Sequence, residues 1–460
     1  MKSKQIKKTI RLSEHFGYRK LLRFCLPTMI MMAFTSIYGV VDGLFVSNFV
    51  GKNAFAAINI AIPALMICGA VGTMFGTGGT ALISKTLGEG NKKRANEYFS
   101  MILEMTAILG FIVTIVGFIL MPQIVQLLGA TGELYDDALL YGRICISFIM
   151  AMQFQYMFQA LINAAEKPRL GLFFTIAAGL TNMILDAIFV AGLEMGIAGA
   201  AIATGISECI GGILPLIYFI GPNSSLLRFR PVKIIIRPVF LAAYNGVSEL
   251  MSNISMSVVS MVYNLQLMKY SGADGVAAYG VIMYVQFIFI SLMFGYTLGA
   301  APIIGFHFGA GHHKELNNLL KKSMKLEYCG GVFLFIIAQL CVYPISALFV
   351  GYDAALLALT VHAFRIFLMA FLLSGGNIFA SAFFTALSNG TISAIISFVR
   401  SLVFELISVL ILPVFFGIDG IWCAVFVAEI GSAIMSWLFL FKQNKKYRYF
   451  KGSFDPSSEF

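Results

Sequence analysis

Asp42 stands inside the first long apolar stretch, Thr35-Ser-Ile-Tyr-Gly-Val-Val-Asp-Gly-Leu-Phe-Val-Ser-Asn48, with no basic residue within several helical turns. A lone charge at the middle of a membrane helix costs roughly 2.5–3.5 kcal/mol even on insertion scales, so a chain that keeps one there usually uses it. Two further pairs carry oxygen ligands at helical spacing. Asn182 and Asp186 are four residues apart and share a face, and so are Thr204 and Glu208. Carboxylate, amide and hydroxyl oxygens suit a hard cation such as Na⁺. A carboxyl pair in low dielectric suits a proton equally, because burial and like charge both act on its titration. The residue types therefore leave H⁺ and Na⁺ both open. The plainer alternatives are an interfacial Asp186 and a Glu208 that caps or pairs at depth without a transport role. Asp42 and Asn182 need partners in the same half of the bilayer, which weighs against the first.

The elements that must position these groups are membrane helices. The chain of 460 residues is 59% hydrophobic and only 12% charged, with mean hydropathy +0.87, where soluble domains carry about 25% charged residues. Apolar runs of about 20 residues recur from Leu21 to Phe441. Twelve spans are expected, at 21–48, 54–84, 97–119, 137–160, 170–191, 198–220, 236–265, 275–307, 321–344, 357–383, 392–412 and 420–441. The fold class is thus an all-α polytopic membrane protein. The formal charge of +10 is a topology signal. Lys and Arg concentrate at both ends and in the even-numbered connections, whereas the opposite side carries Lys52 and Lys269. Both termini are expected in the cytoplasm, with anionic membrane lipid rather than nucleic acid as the partner of the charge. Lys2, Lys4, Lys7, Lys8 and Arg11 read as the flank of the first helix, since no small-residue cleavage site follows.

The chain repeats itself. Ser84-Lys-Thr-Leu-Gly-Glu-Gly90 after span 2 recurs 221 residues later as Gly305-Phe-His-Phe-Gly-Ala-Gly311 after span 8. Gly196-Ile-Ala-Gly199 matches Gly417-Ile-Asp-Gly420, Glu208 falls on Glu429, and Arg143 falls on Arg365 at an offset of 222. Six spans is an even number, so the halves share one orientation and are related by an axis along the membrane normal. The expected organisation is an N-terminal six-helix lobe at 1–221, a cytoplasmic linker at 222–238, and a C-terminal lobe with a basic tail at 239–460. Binding sites in such folds lie near the midplane between the halves, which favours a transporter over a channel or receptor.

The second lobe is not a chemical copy of the first. Position 42 maps onto Tyr263 and position 186 onto Ser408. Glu249 in span 7 is a candidate for a second protonation or cationic-substrate site, or for a partner to an intramembrane base. Arg400 and Glu405 are expected to form a structural intrahelical pair. Arg143 and Arg365, equivalent in both halves, are expected to bind helix ends. His307 to His313 invite a pH-sensor reading, but their place at the end of span 8 reads as a solvated loop. A substrate wall is suggested by Tyr38, Gln155, Gln159, Met283 and Gln286, with Met29, Met31, Met32 and Tyr284 nearby in sequence. Flexible Met and aromatic surfaces with few polar groups suit varied lipophilic cations, although ordinary helix packing explains any one of them. Pro27 can kink span 1. The seven cysteines lie in apolar stretches with no CxxC pair, so neither a disulfide framework nor a metal site is expected. The Gly-x-Gly after span 2 lacks the Lys-Ser/Thr of a Walker loop, so ATP is not the direct energy source and no cofactor is expected.

Two six-span halves, the loops Leu-Gly-Glu-Gly-Asn and Phe-Gly-Ala-Gly-His, the Gly-Ile-x-Gly openings and Tyr-Gly-Val-Val-Asp in span 1 resemble the MATE (multidrug and toxic compound extrusion) family. The resemblance is to its MepA/DinF-like bacterial branch and covers roughly Leu21 to Phe441. It implies a V-shaped pair of six-helix lobes in the bacterial cytoplasmic membrane and export of organic cations in exchange for H⁺ or Na⁺. It also implies that Asp42, Asn182, Asp186 and Thr204 form the amino-lobe ion site and that Pro27 is the helix-1 hinge. The helix-7 glutamate of many relatives corresponds to Glu249. The expectation is a secondary multidrug antiporter rather than an enzyme, with no obligate protein partner. The rival is a flippase for a lipid-linked saccharide, which would want several basic residues in its cavity, and few are present.

Overall fold

The computed structural model describes residues 10–450. Twelve helical segments follow in order: α1 (Tyr18–Val50), α2 (Asn53–Gly88), α3 (Lys92–Leu127), α4 (Glu133–Ser147 and Ile149–Ala164, bent by 59°), α5 (Pro168–Gly192) and α6 (Gly196–Ile220). Then come α7 (236–271), α8 (Asp274–Gly309), α9 (His313–Val350), α10 (Ala354–Ala386), α11 (Gly390–Phe416) and α12 (Ile418–Tyr447). Eleven are long and apolar enough to cross a membrane, counting the bent α4 as one; α7, which carries Arg237, Asn245, Glu249 and Asn253, is the more polar twelfth. Side chains such as Phe111, Ile119, Leu340, Phe415 and Leu438 are exposed on the outer faces, as lipid requires and water would penalise. The chain is a multi-pass membrane protein. The expected basic residues Lys2, Lys4, Lys7, Lys8 and Lys451 lie outside the described residues.

The duplication is written in the backbone. Gly51 and Gly272, 221 residues apart, both take positive φ and break the chain between α1 and α2 and between α7 and α8. Gly196 (φ 61°) and Gly417 (φ 59°) open α6 and α12 at the same offset, a conformation that costs glycine nothing. Side-chain caps start other helices: Asn91 accepts from the Arg94 amide, Asp353 from Ala355 and Leu356, and Asn389 from Ile392.

The two six-helix bundles meet where α2 and α1 lie along α7 and α8. Small residues make the approach close. A Cβ on Gly78 of α2 would collide with the Ala242 carbonyl of α7, and one on Gly246 with the Met74 carbonyl of α2. Gly88 and Gly309 pair in the same way across α2 and α8. Gly295 and Gly299 of α8 receive Met29 and Cys25 of α1. The bundles are therefore in tight contact toward the face that carries both termini.

A short segment ahead of α1 ties that face together. Leu12 and Phe16 are fully buried against Leu316, Leu320 and Tyr449 of the C-terminal half. The Leu12 amide donates to Glu166 Oε1 in the turn between α4 and α5 at 2.6 Å, and the Phe16 amide to Glu315 Oε1 at 2.9 Å. Burial pushes the Glu166 carboxyl up from its usual range, against the Leu12 amide, which holds it down. His307 corrects the solvated-loop expectation. It is 2% exposed and its Nδ1 lies 3.1 Å from Nδ1 of His312, because the α8 end is covered by α9 and the N-terminal segment.

Candidate functional site

The first half gathers the expected oxygen ligands. Asp42 lies on α1 and Asn182 and Asp186 on α5, and these helices pack along each other. Phe34 and Tyr38 of α1 press on Gly179 of α5, one turn before Asn182. Asn182 is 1% exposed and Asp186 0%. Asp42 and Asp186 lie close enough for their carboxyl groups to interact. Thr204 and Glu208 project from α6, which packs on α5 and α4, and Glu208 lies close enough to Asp42 for their charges to interact.

The polar atoms here lack partners. Asp42 Oδ1, both carboxyl oxygens of Asp186, Asn182 Oδ1 and Thr204 Oγ1 are buried without a hydrogen bond among the described residues. Each such orphan costs about 1–3 kcal/mol, more if charged. Two carboxylates cannot bond to each other until a proton or a cation comes between them. The donor set, all oxygen, fits either, so the site is chemically an acceptor for a small cation.

The backbone adds a feature that the sequence reading missed. Immediately after Asp186, α5 loosens into a π turn over Ala187–Gly192, and one turn after Asp42, α1 does the same over Val46–Val50. The two π turns pack on each other. Such turns are uncommon and cluster at functional sites, because the extra residue per turn leaves the helix easier to rearrange. No Pro or Gly pair marks them in advance. Pro27, the expected hinge, is buried, and α1 runs through it without a break.

The expected substrate residues divide between the lobes. Gln155 Nε2 donates to Tyr38 Oη at 3.2 Å. Gln155 and Gln159 line a small pocket with Met31, Thr175, Gly211 and Pro215 in the first half. Met283 packs on the core of the second half, and Gln286 lies a turn further along α8 with Oε1 unpartnered. Met283 and Gln286 do not line that small pocket.

The second half is arranged differently. The expected Arg400–Glu405 pair is not formed. Arg400 reaches instead to Glu429 on α12, with Nη2 2.8 Å from Oε1 and Nε 3.1 and 3.3 Å from the two oxygens. A π turn over Val399–Phe404 offsets Arg400 from the regular spacing to Glu405, and Glu429 offers a bidentate acceptor. Ser374 and Asn377 of α10 complete the coordination at 3.0 and 2.5 Å. Glu249 lines a narrow space between the lobes with Thr77, Thr80, Thr297 and Thr385. Glu327 of α9, a carboxylate missed in the sequence reading, is 4% exposed and accepts from Thr297 Oγ1 at 3.1 Å. A single acid within an apolar span was the available signal for it. Arg143 lies 5.3 Å from the Phe118 ring centre, a cation–π contact rather than the expected helix-end bond. The Arg365 carbonyl accepts from Gln339.

Comparison with known proteins identifies the fold and the family. The MatE family model matches residues 27–188 and again 250–411, one copy per half. The multidrug export protein MepA of Staphylococcus saprophyticus is 25% identical over 433 residues, covering 92% of this chain and 93% of that protein. MepA of Staphylococcus haemolyticus is 24% identical over 446 residues, covering 95% and 96%. Among solved structures, an outward-facing multidrug resistance MATE transporter of the MOP superfamily superposes with TM-score 0.90 at 20% identity, covering 96% of this chain and 100% of the other. Duplicated six-helix halves matched one by one to the family model leave one assignment: the chain belongs to the MATE family of multidrug export transporters.

Proposed function

We propose that this protein is a secondary antiporter that exports lipophilic, mostly cationic compounds from the cytoplasm of a bacterium in exchange for H⁺ or Na⁺. The observation that carries the reading is the set of orphaned oxygens on Asp42, Asp186, Asn182 and Thr204. A buried acceptor set without donors is a cost unless a cation regularly fills it. The export names of the MepA relatives support the class of cargo. The placement of Lys and Arg supports cytoplasmic termini.

The cycle follows from the geometry. The glycine contacts between α2, α7 and α8 hold the halves together toward the terminus-bearing face, so in this reading exchange takes place on the opposite face. Cargo leaves there and the coupling cation enters between Asp42 and Asp186. Neutralising the pair removes the like-charge repulsion between Asp42 of α1 and Asp186 of α5. The adjoining π turns and Pro27 let α1 shift, and the shift withdraws Met29 and Cys25 from Gly295 and Gly299 of α8. That parts the halves toward the cytoplasm. Cargo binding then favours release of the cation, because both draw on the same interior.

The test is ethidium transport in sealed vesicles with ΔpH and a Na⁺ gradient imposed separately, for wild type and Asp42→Asn. Transport driven by one gradient and lost in the variant is expected. Undiminished transport in a correctly inserted Asp42→Asn would overturn the site. No ethidium transport under either gradient would overturn the cargo assignment and favour the lipid-linked saccharide.

A further inference from the structure

The internal repeat offers a template for the cargo site. Through α6 and α12 the halves align at an offset of 221, fixed by the positive-φ glycines Gly196 and Gly417, so Glu208 corresponds to Glu429. From α4 into α5 the offset is 222, fixed by Arg143 and Arg365 and by the positive-φ residues Glu166 (φ 60°) and Ser388 (φ 57°). Gln155 therefore corresponds to Asn377 and Ala178 to Arg400. In the second half these positions form a finished unit. A planar guanidinium lies in a bidentate contact on Glu429, with the Asn377 amide and the Ser374 hydroxyl on the same carboxylate.

The first half keeps the acid and the amide and omits the cation. Glu208 is half-buried and has no hydrogen bond or ion pair among the described residues. The Gln155 side chain reaches α6 one turn from it, against Gly211, and its Oε1 is buried without a partner. Where Arg400 projects in one half, the other has the buried Ala178, followed by Gly179 with the Phe34 and Tyr38 rings against it. Gln155 Nε2 donates to Tyr38 Oη at 3.2 Å, which brings a tyrosine of α1 into the same group. A carboxylate with no basic partner, grouped with an amide and a tyrosine, is an arrangement that recognises an organic cation, with charge from the acid and a ring face for the apolar body. Side chains of three helices, Tyr38 of α1, Gln155 of α4 and Glu208 of α6, are grouped here, so the feature is more than one acid in an apolar span.

We infer that Glu208 receives the cationic group of the cargo, in the place that Arg400 occupies in the other half, and that Arg400 is a tethered copy of that group. The inference rests on the antiporter reading and deepens it. It names the class of cargo held best: planar, delocalised cations of the guanidinium, amidinium or phenanthridinium kind, which can lie along a carboxylate as Arg400 does. It also separates two tasks in one lobe. Asp42 and Asp186 take the coupling ion, and Glu208 takes the cargo.

The experiment uses the full-length protein in lipid nanodiscs and in proteoliposomes. Ethidium is the planar cation and N-phenyl-1-naphthylamine the uncharged lipophile. Glu208→Gln is expected to weaken ethidium binding about tenfold or more, as loss of a charge-assisted contact does, with binding of the uncharged probe unchanged. A second arm works in the other half. Arg400→Ala is expected to be restabilised by millimolar methylguanidinium, whereas Arg400→Ala with Glu429→Gln is not. Ethidium binding by Glu208→Gln equal to wild type, or equal loss for both probes, overturns the inference while gradient-driven efflux by wild type leaves the antiporter standing. Failure of wild type to transport ethidium overturns both.

Discussion

Removing the Arg400 guanidinium is the perturbation whose consequence the structure states most sharply. Glu429 is 2% exposed and receives three short N–H contacts from Arg400, at 2.8, 3.1 and 3.3 Å. Arg400→Met keeps most of the apolar stem and leaves a carboxylate in the interior with two neutral donors, Ser374 and Asn377. Breaking one side of a buried pair costs about 3–5 kcal/mol, chiefly because the remaining charge is uncompensated. Glu249 and Glu405 also feel the Arg400 charge, so the loss falls toward the upper end of that range. Glu429→Gln costs less, about 1–3 kcal/mol, because Arg400 keeps those two acids in range. Combining Arg400→Met with Glu429→Gln removes the imbalance and is expected to recover most of the loss, to within about 1–2 kcal/mol of wild type. Both tryptophans, Trp422 and Trp437, lie on α12 within about two turns of Glu429. Their fluorescence during unfolding in mixed detergent–SDS micelles reads the cycle directly. Arg400→Met within about 0.5 kcal/mol of wild type, or a double variant no better than Arg400→Met, would refute the view that this unit is a self-neutralised structural element.

Other outcomes follow from the same contacts. Asp186→Asn is expected to abolish gradient-driven efflux yet raise stability by about 1–3 kcal/mol, since it removes a buried carboxylate without partners; the same unfolding assay checks it. Gly78→Leu, which would drive a side chain into the Ala242 carbonyl, is expected to cut efflux at least about tenfold by wedging the lobes apart. Gly280→Ala, whose Cβ meets nothing within 4 Å, is expected to transport as wild type. Leu12→Ala empties a fully buried position under the N-terminal segment and is expected to weaken its docking by about 2–5 kcal/mol. Faster cleavage near residue 12 in limited proteolysis, with the helices intact, is the readout, and unchanged cleavage would contradict the docking.

Much of the fold is legible in the sequence because lipid leaves few choices. Apolar length, the Lys and Arg bias and the 221-residue repeat lead to twelve spans in two halves, and the repeat reappears in the φ angles of Gly51 and Gly272. Asp42 and Asp186 were legible because charge inside an apolar span is expensive and conspicuous, and Asn182 because it stands one helical turn from Asp186. What was hidden depends on partner choice and local backbone. Arg400 was paired with Glu405 on spacing alone, but a π turn and the better geometry of Glu429, an α12 residue, decided otherwise. His307 read as solvated because the covering segment precedes the first apolar span and carries no periodic pattern. The π turns beside Asp42 and Asp186 leave no residue signature at all.

The central claim is that cargo binding in the amino lobe drives the coupling ion off Asp42 and Asp186. The most direct measurement is cation release when ethidium binds to the purified protein in weakly buffered nanodiscs, followed with a pH indicator and a Na⁺ electrode. The account requires a stoichiometric release of one of the two ions from wild type and none from Asp42→Asn with Asp186→Asn. Release of the same size from that double variant, or ethidium binding with no release of either ion from wild type, would contradict it.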